Sequence, residues 1–262
     1  MSNLASFAEL VQVMARLRAT DGCPWDREQT HASLKPYLLE ETYEALEAID
    51  AGDDAELCKE LGDVLLQVVF HAQIAGEEGR FSIDDVARAI VDKLIHRHPH
   101  VFGDVEVDGA DQVVTNWERI KQEERRGEDR EPSVLDGVPK QLPALLRAQR
   151  IQGKAARVGF DWDKIAGPLA KVEEEFAELR QAMDAGDATK IEEEFGDLLF
   201  ALVNVGRFLK LAPEDTLRRA VEKFERRFRQ LEETARTQGR DLQDMSLPEM
   251  DRIWDQIKDK DR

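Results

Sequence analysis

Cysteine is nearly absent from this chain. Cys23 and Cys58 are the only two thiols in 262 residues, too few for a disulfide framework and without metal-binding spacing, so a reducing compartment, the cytoplasm, is the expected setting. Positive charge is scarce too: 37 Lys and Arg face 55 Asp and Glu, a formal charge of −18. Such a field repels phosphate backbones and anionic lipid, so neither nucleic acid nor a membrane is an expected partner. No apolar run reaches the roughly 20 residues that span a bilayer. The start Met-Ser-Asn-Leu-Ala-Ser-Phe-Ala-Glu lacks the basic and apolar stretches of a signal peptide. A Gly-x-x-x-x-Gly-Lys-Ser phosphate loop is missing as well. A small phosphate ligand stays compatible with the charge, because a bound cation and a few local Lys or Arg reverse the potential at one site.

Glycine (16) and proline (9) are sparse, while 35% of residues are charged and 42% hydrophobic, a balance that suits long amphipathic helices and an all-α class. The length suits two domains. Apolar residues at helical spacing from Phe7 to Leu17 predict a first helix that stops at Thr20-Asp-Gly-Cys-Pro24. A second runs from near Pro36 to the turn Asp50-Ala-Gly-Asp-Asp54, and a third from about Ala55 to Ala75. Ser82 caps a fourth that ends before His98-Pro99, and a fifth surrounds Trp117 and Ile120. Gly127, Pro132, Gly137, Pro139 and Pro143 gather in one stretch, so the expected organisation is a domain over 1–126, a connection over 127–143 and a second domain over 144–262.

The second half repeats the first. Glu41-x-x-Glu44 and Glu60-x-x-Asp63 return as Glu175-x-x-Glu178 and Glu194-x-x-Asp197 at one offset, since 175 − 41 and 197 − 63 are both 134. Trp25-Asp26 returns as Trp162-Asp163, and Trp117-x-x-Ile-Lys121 as Trp254-x-x-Ile-Lys258. The pattern is a tandem duplication.

Residues three apart share a helical face, so each acidic pair converges. Gly52 lies eight residues from both Glu44 and Glu60 and eleven from both Glu41 and Asp63; Gly186 has the same distances from Glu178, Glu194, Glu175 and Asp197. At about 1.5 Å of rise per residue in two antiparallel helices, the pairs face one another and four carboxylates meet. Acids on helices are most often a solvated face. Here the helix carrying Glu60 and Asp63 is apolar nearly all round, through Leu61, Val64, Leu65, Leu66, Val68 and Val69, so it is expected to be mostly buried. Facing, partly buried acids repel unless a cation neutralises them. With oxygen ligands only, that cation is expected to be Mg²⁺, with Mn²⁺ as a substitute.

At these residues the chain resembles the MazG family of nucleoside triphosphate pyrophosphohydrolases, nearly over its full length. Supporting stretches are Cys23-Pro-Trp-Asp26, Tyr37-Leu-Leu-Glu-Glu41, His98-Pro-His-Val-Phe102, Gly137-Val-Pro139 and Lys154-Ala-Ala-Arg-Val-Gly-Phe160. The resemblance implies Mg²⁺-dependent cleavage of a nucleoside triphosphate between its α and β phosphates, in a helical homodimer. It implies metal ligation by Glu175, Glu178, Glu194 and Asp197, and by Glu41, Glu44, Glu60 and Asp63 in the first half. Nucleotide contacts are expected from Lys171, Glu174, Glu175, Lys190, Glu193, Asp197, Lys223, Arg227 and Trp254. Lys223 and Arg227, four apart, share a helical face, although such cations also serve as surface ion pairs and Trp254 as core.

The first half keeps its four acids, Lys93, Arg97 and Trp117, but has Glu56 at the position of Lys190 and Lys59 at that of Glu193. Family resemblance therefore points to catalysis in the second half. His96, His98 and His100 are read as structural or capping residues, having no counterpart there. Two rivals remain: a di-iron bundle, which would add Glu-x-x-His motifs, and a non-enzymatic adaptor, which leaves the symmetric acids unexplained.

Overall fold

In a computed structural model, the protein is described over residues 4–125 and 133–260. Residues 126–132, at the head of the expected connection, lie outside this range. The chain divides into two compact units, Met1–Gly127 and Glu128–Arg262. Every regular element among the described residues is helical.

The first unit contains α1 (Leu4–Arg18), α2 (Pro24–Glu28), α3 (Lys35–Ala51), α4 (Asp54–Glu77), α5 (Ile83–Arg97), α6 (Pro99–Phe102) and α7 (Ala110–Arg125). Its centre is the α3–α4 hairpin, with α1 and α5 packed on α4. Gly52 closes α3 at φ 66° with its N–H on the carbonyls of Ala48 and Ile49, a left-handed cap that a side chain would strain. Asp53 then caps α4 by accepting from the N–H groups of Ala55 and Glu56, both at 3.0 Å. Ser82 caps α5 as its sequence predicts, and Asp85 returns the bond to complete a capping box. Met14, Leu34, Val69, Phe70 and Ile74 form the core beneath.

The second unit contains α8 (Ala144–Arg157), α9 (Ala166–Ala185), α10 (Ala188–Phe208), α11 (Pro213–Thr237) and α12 (Leu247–Lys260). The α9–α10 hairpin repeats α3–α4, with Gly186 at φ 69° as its left-handed cap and Asp187 accepting from the Lys190 N–H at 3.1 Å. Helix α8 packs on α10 and α11, and α12 closes on α11 around Leu231, Ala235, Ile253 and Ile257.

The expectation that α4 is mostly buried needs correction. Gln67, Val69 and Phe70 face the core, but Leu61 is 53% exposed, Leu65 39% and Val68 37%. Within the unit α4 packs on α3, α1 and α5, and these leave one apolar stripe uncovered. The counterpart α10 does the same, with Phe195 53% and Leu202 48% exposed. The short helices α2 and α6 were not foreseen; each starts at a proline that presets its first turn.

Candidate active site

The two hairpins bring together three of the four acids that the spacing led us to expect in each, with Glu178 and Glu44 outside the clusters. One oxygen each from Glu175, Glu194 and Asp197 lies within 4.8 Å of the others, and Glu41, Glu60 and Asp63 form the same cluster in the first unit. Glu178 and Glu44 complete the two sets electrostatically. Desolvation, then the charge of Glu178, raises the pKa of Glu194 above its ordinary value of 4.5. Desolvation followed by Asp63 and Glu44 raises Glu41, and desolvation followed by Glu44 and Glu56 raises Glu60. Carboxylates whose charges disfavour one another in this way are relieved by a bound cation. The donors are oxygen alone, which fits a hard divalent ion, and no histidine joins either cluster among the described residues.

Charge around the clusters differs between the units. Glu175 is 4% exposed, and Lys171, one helical turn earlier, sets its Nζ 2.5 Å from Glu175 Oε1 and 3.0 Å from Glu174 Oε1. Those two carboxylates raise the Lys171 pKa. Lys190 lowers the pKa of Glu194, partly offsetting its acidic neighbours. In the first unit, Tyr37 takes the Lys171 position (171 − 134 = 37) and Glu56 that of Lys190 (190 − 134 = 56). Glu56 binds Lys59 at 2.5 Å and pushes Glu60 further up.

A cavity of about 320 Å³ opens beside the second cluster, lined by Gln152 of α8, Trp162 and Pro168, Lys171 and Glu175 of α9, and Asp197, Phe200 and Asn204 of α10. Asn204 is buried, and its Oδ1 accepts from Arg207 Nε at 2.9 Å. Arg207 also forks onto Asp161, with Nη1 to Oδ2 at 2.8 Å and Nη2 to Oδ1 at 2.5 Å, fixing the segment that carries Trp162.

The other expected nucleotide contacts lie elsewhere in the unit. Lys223 and Arg227 sit on α11 and Trp254 on α12, and none of the three lines the cavity. The Trp254 ring is tilted 49° against Phe224 at 5.2 Å and packs on the α11–α12 core. In the first unit Arg97, the counterpart of Arg227, is bound to Glu124 at 2.6 Å.

The histidines make contacts within the first unit. His98 caps α5 and donates from Nδ1 to the Leu94 carbonyl at 2.6 Å. His31 and His71 stack at 5.0 Å, their Nδ1 atoms 2.7 Å apart, while Arg80 donates to His31 Nε2 at 2.6 Å. The His31–His71 pair and the amides Gln152 and Asn204 escaped the sequence reading. A lone Asn within the apolar run Leu198–Val205 was the available signal for Asn204.

Comparison with known proteins agrees with this geometry. The MazG nucleotide pyrophosphohydrolase domain model matches residues 29–102 and 167–231, one match for each acid hairpin. The chain is 49% identical over 255 residues to the nucleoside triphosphate pyrophosphohydrolase/pyrophosphatase MazG of Thermotoga maritima, covering 97% of this chain and 96% of that one. It is also 49% identical over 254 residues to the nucleoside triphosphate pyrophosphohydrolase of Escherichia coli K12, covering 95% of each. Identity to the uncharacterized protein YabN of Bacillus subtilis is 49% over 257 residues, 98% of this chain but 52% of that longer one.

Proposed function

The chain belongs to the MazG nucleotide pyrophosphohydrolase family and is a hydrolase, and from that premise we propose that it converts ribo- or deoxynucleoside triphosphates to monophosphates and pyrophosphate, chiefly at its C-terminal acid cluster. The observation that carries this is the convergence of Glu175, Glu194 and Asp197 within 4.8 Å beside a cavity. Those acids, with Glu178, are the residues that would hold Mg²⁺, with Mn²⁺ as the substitute. The ion would supply charge neutralisation on the phosphate oxygens and a more acidic water. The attacking water would be activated by the ion directly or by a carboxylate beside it. Lys171 and Lys190, joined by Lys223 and Arg227 from α11, supply positive charge to the triphosphate.

The preference for the second unit rests on charge. Lys171 and Lys190 flank its acids, whereas Tyr37 and Glu56 occupy those positions in the first, which we assign a structural, regulatory or weakly active role. The apolar stripe on α10 is assigned to a second copy of the chain, making a homodimer. A cytoplasmic protein without nucleic-acid or membrane partners fits the charge, and no helix among the described residues is long and apolar enough to cross a membrane.

The test is chromatographic product analysis across a panel of nucleoside triphosphates, with and without Mg²⁺. Monophosphate plus pyrophosphate, formed only with metal, is the expected result. Diphosphate plus phosphate would mean a different bond is cut.

A further inference from the structure

We infer that Arg207 is a positioning residue for substrate binding: through Asp161 it holds the indole of Trp162 as one wall of the cavity beside the second acid cluster, against which the nucleoside end of the triphosphate packs. This rests on the triphosphate hydrolysis proposed above and deepens it.

The cavity joins two kinds of surface. Lys171, Glu175 and Asp197 line it with charge, while Trp162, Pro168 and Phe200 line it with apolar surface. A nucleotide divides in the same way, into a charged triphosphate and a flatter, less polar nucleoside, so the charged residues suit one end and the indole the other. Trp162 is 45% exposed, which leaves indole surface for a ligand to cover.

Trp162 stands between α8 and α9, outside either helix, so its place depends on tertiary contacts. Its indole lies over Gly167, where an added Cβ would come within 2.2 Å of Cδ1. Its own N–H donates to Asp161 Oδ1 at 2.9 Å, and both Asp161 oxygens accept from the Arg207 fork, at 2.8 and 2.5 Å. The remaining guanidinium nitrogen, Nε, donates to Asn204 Oδ1 at 2.9 Å. Arg207 does not itself line the cavity, yet all three of its nitrogens are engaged by a lining residue, Asn204, and by the residue that precedes another, Trp162.

A fork with charge on both sides is stronger than a neutral hydrogen bond. The Arg207 and Asp161 side chains are 19% and 25% exposed, so water screens them only in part. Arg207 holds the Asp161 carboxyl below its ordinary 3.8, which keeps the tether charged at neutral pH.

The first unit has no such tether. Gln73 stands at the position of Arg207 (207 − 134 = 73), and the offset of the tryptophans (162 − 25 = 137) puts Pro24 at that of Asp161 (161 − 137 = 24). Gln73 donates instead to Glu77 at 3.0 Å, and Trp25 meets Tyr37 edge-on. The tether thus belongs to the unit to which turnover is assigned.

Steady-state kinetics of the full chain with ATP, or with whichever triphosphate of the panel it hydrolyses fastest, provide the test. Arg207→Lys keeps the charge but cannot fork onto Asp161 and reach Asn204 together. It should raise KM about 3- to 10-fold, the range of one hydrogen bond, and leave kcat within about 2-fold. Asp161→Asn, which keeps the shape and removes one acceptor of the fork, should act in the same direction. Trp162→Ala should raise KM by at least as much as Arg207→Lys, and the two substitutions together no further than Trp162→Ala alone, because Arg207 acts through the indole. Acrylamide quenching of tryptophan emission reads the positioning without turnover: Arg207→Lys should increase it, but not when Trp162→Phe is also present. An unchanged KM, a loss confined to kcat, additive effects of the two substitutions or unchanged quenching would overturn the assignment while leaving hydrolysis intact. No turnover of any nucleotide by wild type would overturn the activity beneath it, and the role in substrate binding with it.

Discussion

Lys171 Nζ lies 2.5 Å from the buried carboxylate of Glu175, while Tyr37, at the same register in the first unit, turns its ring edge-on to Trp25 at 5.8 Å. The second cluster thus carries an internal cation at Glu175, and no such ion pair is found at Glu41 among the described residues. Glu175 has a partner before any divalent ion arrives, which limits the cost of burying its charge.

Lys171→Gln should destabilise the metal-free protein. The lysine side chain is 38% exposed, so the loss is discounted for solvent screening to about 1 to 2 kcal/mol, or about 3 to 6 °C in melting temperature. Saturating Mg²⁺ should restore much of it, because the ion takes over the neutralising role. An unchanged metal-free melt would show that Lys171 does not stabilise Glu175.

Stability should depend on pH in opposite senses with and without metal. Glu194, Glu41 and Glu60 have pKa values raised above 4.5 by desolvation and by neighbouring acids. The folded state therefore binds more protons than the unfolded chain just above that value. The contribution of these three acids to metal-free stability falls as pH climbs from 4.5 through the raised values. Mg²⁺ competes with those protons, so the gain in melting temperature on adding it should grow over the same interval. Thermal melts in chelator and in Mg²⁺ at about pH 5 and about pH 7.5 check the sign; an equal gain at both would count against metal at these acids.

Removing acids from one hairpin at a time separates the units. Glu175→Ala with Glu178→Ala should lower kcat by at least about 100-fold, as loss of preorganised charge stabilisation does elsewhere. Glu41→Ala with Glu44→Ala should leave most turnover. The reverse pattern would move catalysis to the first unit.

The apolar stripe of α10 predicts its own covering. Phe195, Leu199 and Leu202 are 53%, 41% and 48% exposed, more contiguous apolar surface than a monomeric helix usually shows to water. Sedimentation equilibrium should give a dimer, and Leu199→Glu should shift it toward monomer. A monomeric wild type at micromolar concentration would remove this account of the stripe.

The hairpins were legible in the sequence because two periodicities agree there, the three-residue spacing of the acids and the equal distances to Gly52 and Gly186. The N-cap at Ser82 and the stop before His98 were local signals of the same kind. What escaped depends on distant partners. Arg18, its side chain 7% exposed, pairs with Glu77 at 2.8 Å and lies over the Phe70 ring at 5.5 Å; nothing near Arg18 in the chain announces either contact. Gln152 of α8 donates to the Phe200 carbonyl of α10, 48 residues away. Burial of α4 was overestimated because helical periodicity tells which residues are apolar, not how many neighbours one unit provides to cover them.

The left-handed glycines also work as a length standard. Sixteen residues separate Glu44 from Glu60 and Glu178 from Glu194, so chain length through the turn alone decides which rungs of the two helices stand level. One residue inserted after Gly186 would advance α10 by about 1.5 Å and rotate it by about 100°, carrying Glu194 and Asp197 away from Glu175 without altering a single side chain. The turn is therefore less forgiving of insertions than an exposed helix connection ordinarily is, and its length is as much a part of the site as the carboxylates it sets face to face.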